Sequence, residues 1–86
     1  MLTFRIEDFA DDGIIREESF RDKIKNHDWP QYEEQVVLMQ GCSNIIIPQW
    51  ALLMAAIQLS HHAKRVSFGE PKTQYLIYRK ADLQEE

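Results

Sequence analysis

The chain has 86 residues, 44% of them hydrophobic, a net charge of −4 and one cysteine. That length holds one domain with one core, burying only roughly 60–65% of the surface its unfolded chain exposes, so its stability reserve is thin. Three glycines and three prolines argue against disorder, the acidic balance against nucleic acid, and the lone cysteine against an intrachain disulfide.

In chain order, Leu2, Phe4 and Ile6 alternate with Thr3, Arg5 and Glu7, the period of a half-buried strand. Asp12-Gly13 signals a turn. Ser19 followed by Asp22 resembles a capping box, predicting a helix from Ser19 with Phe20 and Ile24 inward. That helix should fail near Asn26-His27, because Trp29-Pro30 cannot continue it. Trp29 and Tyr32 are large enough to plug an edge of the core. Val36-Val37-Leu38-Met39 is a continuous β-prone run, as expected of a central strand.

Gly41 ends that run, Cys42-Ser43-Asn44 makes a loop, and Ile45-Ile46-Ile47 reads as a short extended piece. Pro48 suits the first turn of a helix predicted over 48–61. That helix is apolar on both sides. Trp50, Leu53, Met54 and Ile57 form one stripe, and Leu52, Ala55, Ala56 and Leu59 a second. A surface helix needs only one apolar stripe. The expectation is that Trp50, Leu53 and Ile57 join Val37, Leu38, Val66, Phe68 and Ile77 in the core, while Leu52, Ala55, Ala56 and Leu59 form an interface with another copy or a missing half.

Val66 and Phe68 mark a further strand, Gly69-Glu70-Pro71 a turn, and Gln74 to Arg79 a last strand. The order β-α-β-α-β-β implies an α/β domain: a small two-layer fold with a mostly parallel, mixed sheet of about four strands and two helices. One domain is expected over 1–81, followed by a disordered acidic tail over 82–86. Residues 1–18 carry six acids against Arg5 and Arg16, whereas 61–80 carry Lys64, Arg65, Lys72, Arg79 and Lys80 against Glu70 alone. Either these are two solvated faces that attract one another within the fold or across a dimer, or they form a steering patch for a charged ligand. The acidic start lacks the basic region of a signal peptide, and the apolar run is interrupted by Pro48, Gln49 and Gln58. A cytoplasmic protein that does not enter membranes is expected.

Five patterns, HDW-x-x-Y (27–32), GCSN (41–44), IIP-x-WA (46–51), AKRV-x-FGEP (63–71) and the closing YR (78–79), resemble an uncharacterised bacterial family, domain of unknown function 2480. The resemblance covers most of residues 4–79. It implies relatives about twice as long, with two related halves, so the chain would be a single-unit version or a fragment. It implies no activity and no catalytic residue.

The candidate chemistry is sparse. The loop Cys42-Ser43-Asn44 lies where an α/β sheet usually presents ligands, between a strand and a helix. The helix field, worth about 0.3–1 kcal/mol, lowers a thiol pKa by less than about one unit from roughly 8.5. An ordinary thiol is expected there. At about 1.5 Å per residue, His61 and His62 stand about 18 Å along the helix from its start, too far for a Cys–His pair. With His27 in a separate turn, no zinc-site spacing exists. Glu33-Glu34 and Glu7-Asp8 are adjacent, so on a strand they point to opposite faces. No metal or cofactor is expected. The favoured reading is a non-enzymatic association module, a homodimer or half of a larger two-unit domain, working through helix 48–61. The alternative is a small thiol-dependent or ligand-binding enzyme centred on Cys42-Ser43-Asn44.

Overall fold

The computed structural model describes residues 1–41 and 45–80. Four strands, β1 (Leu2–Arg5), β2 (Val36–Gln40), β3 (Arg65–Glu70) and β4 (Thr73–Arg79), form one sheet in the order β1-β2-β3-β4. The first three run parallel, and β4 returns antiparallel to β3. Helix α1 (Glu17–Asn26) connects β1 to β2, and α2 (Gln49–Ser60) connects β2 to β3. Two crossovers of the same hand between neighbouring parallel strands put both helices on one face. The core cluster agrees: Phe20 and Ile24 of α1 and Ala51, Ala55 and Leu59 of α2 pack with Phe4, Val37, Met39 and Val66. The fold is the expected small α/β domain with a mixed sheet.

Local chemistry explains most of the connections. Asp12 and Gly13 both adopt positive φ, at 51° and 79°. That is the backbone a tight two-residue turn requires, and Asp11 and Ile14 close it with two hydrogen bonds of 2.7 and 2.9 Å. Trp29 closes the end of α1, its indole N–H donating to the Ile24 carbonyl at 2.7 Å. At the β3–β4 hairpin, Gly69 has φ +133°, and a Cβ there would lie 2.3 Å from the Thr73 carbonyl oxygen. Only glycine fits.

Two expectations are corrected. The Ser19–Asp22 capping box does not form. Helix α1 begins at Glu17, and Ser19 donates instead to the Asp11 carboxylate at 2.5 Å, where Lys23 also binds at 2.7 Å. The tertiary acceptor outcompetes the local cap. The second correction is the phase of α2. Ala51, Ala55 and Leu59 are fully buried, whereas Trp50, Leu53 and Ile57 are exposed. Val37, Leu38 and Val66 are core as expected; Phe68 is only half-buried, and Ile77, on the edge strand, is exposed.

Candidate functional site

Helix α2 is the element around which a site can be built, and its side-chain sizes decide its orientation. Ala51, Ala55 and Leu59 recur every four residues, and Ala63 just beyond the helix continues the stripe. All four are buried, above Val37, Met39 and Val66. Small side chains let the helix backbone come close to the sheet, and close approach leaves no room there for Trp50 or Leu53. The bulky residues are displaced outward. Leu53 is 63% exposed, Ile57 57% and Trp50 36%, at the pole of the helix facing away from the sheet. The Trp50 ring lies edge-on to Phe20 of α1, with centroids 5.6 Å apart.

The residues expected to form an interface are therefore divided. Ala55 and Leu59 lie in the chain's own core, and Leu52 and Ala56 are half-buried at its margins. The surplus apolar stripe exists, but on the opposite side: Trp50, Leu53 and Ile57. The signal for this was in the sequence, in the four-residue spacing of small residues from Ala51 to Ala63, which marks a close-packed face regardless of hydrophobicity. Beyond the helix, β4 touches α2 and exposes Tyr75, Leu76 and Ile77 along the sheet edge. In the register of β3 and β4, Tyr75 is opposite Phe68, on the same side of the sheet as α2.

Cys42, Ser43 and Asn44 lie outside the described residues. His61 is exposed at the end of α2, and His62 contacts the Glu33 carboxylate at 3.1 Å on the surface. Among the described residues, no group of three His, Cys, Asp or Glu side chains is placed to hold a metal.

A depression of about 380 Å³ lies beside β1, α1 and the turn that follows it. Its centre is an aromatic cluster: the His27 ring meets Phe4, Phe9 and Trp29 edge-on and stacks on Tyr32. His27 Nε2 and the Tyr32 hydroxyl form a 2.7 Å hydrogen bond. Burial holds the His27 pKa below its ordinary 6.5, and burial likewise raises that of Tyr32. The neutral imidazole and the phenol satisfy each other. The nearby Lys23 ammonium is taken by Asp11 and the Ala10 carbonyl. The cluster locks the turn between α1 and β2, with His27 Nε2 and the Tyr32 hydroxyl engaged with each other.

Fold and surface together define a small α/β domain, helices on one face of a mixed sheet, with one helix apolar on both sides. The chain belongs to the family described as protein of unknown function (DUF2480), which matches residues 1–85. No curated protein and no solved structure matches the chain. No helix among the described residues is long and apolar enough to cross a membrane.

Proposed function

We propose that the protein is a non-enzymatic association module, in which two copies pair through the outward faces of α2. One observation carries this reading: Leu53 and Ile57 are more than half exposed on a helix whose other side is already committed to the core. Trp50, Leu53 and Ile57 have the i, i+3, i+7 spacing of a helix seam, and a twofold axis across it would set each stripe against its own copy. Tyr75 of β4, exposed and opposite Phe68, extends the same side of the molecule.

Fully burying a side chain of this size is worth about 1.5–3 kcal/mol. Six such chains, partly shielded already, supply on the order of 5–10 kcal/mol, against a loss of at least about 4 kcal/mol in rigid-body freedom. Pairing through this stripe alone should be weak, with a dissociation constant of about high micromolar to millimolar, and tighter if β4 contributes. Light scattering across a concentration series tests this. The mass should rise toward twice that of the chain, and Leu53→Glu should hold it at one chain with an unchanged circular dichroism spectrum. A wild-type mass that stays at one chain up to millimolar concentration would reject the reading. The single cysteine fits a reducing setting, so the cytoplasm is the proposed compartment.

A further inference from the structure

We infer that the end of the β3–β4 hairpin is a binding site for a small phosphate-bearing anion, held by the side chains of Arg65 and Arg79. These two arginines are direct cross-strand partners. The ladder continues past them, with the Lys80 N–H donating to the Lys64 carbonyl at 2.9 Å, so two lysines flank the pair. Across the other edge of β3, Arg65 is in register with Val36 of β2. Val36, Lys64, Arg65, Arg79 and Lys80 together line a cavity of about 380 Å³.

Four cations around one cavity are unexpected in a chain of net charge −4. Like charges directly opposite on neighbouring strands are unfavourable unless something between them carries the opposite charge. Lys80 has such a partner, the Glu34 carboxylate at 2.5 Å. Among the described residues, no carboxylate pairs with Arg65, Arg79 or Lys64. Two arginines on directly paired positions bring two planar forks of N–H donors to one cavity, enough to bind several phosphate oxygens at once. Glu33 and Glu34 beside the cavity repel an extended polyanion such as nucleic acid, which favours a small ligand. The residues just after Lys80 include Asp82, Glu85 and Glu86, whose carboxylates offer similar oxyanion chemistry from within the chain.

The test is titration of the full chain with pyrophosphate at constant ionic strength, followed by NMR of the arginine Nε–H groups. Arg65 and Arg79 should shift together and saturably. Arg65→Gln or Arg79→Gln should each weaken binding at least tenfold. Without ligand, Arg79→Gln should melt no lower than wild type, because it removes a like-charge pair. The absence of saturable shifts, or binding that survives in the Arg65→Gln/Arg79→Gln double variant, would overturn the site. Binding seen only after Asp82→Asn, Glu85→Gln and Glu86→Gln would assign the cavity to the chain's own tail and overturn the external ligand.

Discussion

His27 links burial to pH. Desolvation disfavours its imidazolium, while the negative charge of Asp28 acts weakly in the other direction. Folded His27 therefore titrates below 6.5, the value for the unfolded chain. Between the two values the unfolded chain holds more protons, so stability falls as the pH drops from about 6.5 through the lower folded value. Asp11 and Glu34, whose pKa values are lowered by hydrogen bonds from Lys23 and Lys80, act separately, below pH 4.5. Urea unfolding of wild type and His27→Gln at pH 7.5 and 5.5 checks this. The wild type should lose more stability on acidification than the variant, and equal losses would contradict the role given to His27. A second residue, Gly69, is fixed by backbone geometry. Gly69→Ala forces a Cβ toward the Thr73 carbonyl at a φ that L-residues avoid, and should cost about 1–3 kcal/mol in a denaturation experiment. An unaffected midpoint would mean that the hairpin relaxes freely.

At the scale of elements, α2 shows where reading the sequence succeeds and where it stops. The strands were legible because alternation in Leu2–Ile6 and the unbroken run Val36–Met39 have few other structural readings. The turns at Asp12-Gly13 and around Gly69 were legible because they demand particular backbone conformations. The phase of α2 was not legible. A helix apolar all round has no preferred side, and ranking its faces by bulk chose the wrong one. Close packing against Val37, Met39 and Val66 selected the alanine face instead. The start of α1 was missed because Ser19 found a tertiary acceptor in Asp11, eight residues earlier, which local patterns do not reveal. The two faces of α2 should respond oppositely to mutation. Leu59→Ala, in the core, should cost about 2–5 kcal/mol, a large share of the stability of so small a domain. Leu53→Ala, on the outer face, should leave the unfolding free energy of a dilute sample within about 0.5 kcal/mol of wild type. A large loss for Leu53→Ala under those conditions would return that residue to the core.

For the whole molecule, asymmetry is the main feature. Both helices cover one face of the sheet. On the other face Thr3, Leu38, Ser67 and Leu76 are in register across the four strands, and only Leu38 and Ser67 are buried. The charge is divided as well, with acids concentrated toward the start and cations gathered at the β3–β4 hairpin. The Glu34–Lys80 ion pair lies at the surface, where such pairs are worth little. The outer stripe of α2 and the adjoining edge of β4 are exposed and apolar. The central claim is that α2 meets its own copy there. The most direct measurement is an isotope-filtered NOE experiment on a mixture of ¹³C-labelled and unlabelled protein at about 1 mM. Intermolecular NOEs should connect the methyls of Leu53 and Ile57 to Trp50, Leu53 and Ile57 of the other copy. Intermolecular NOEs confined to other residues, or none at all, would contradict it.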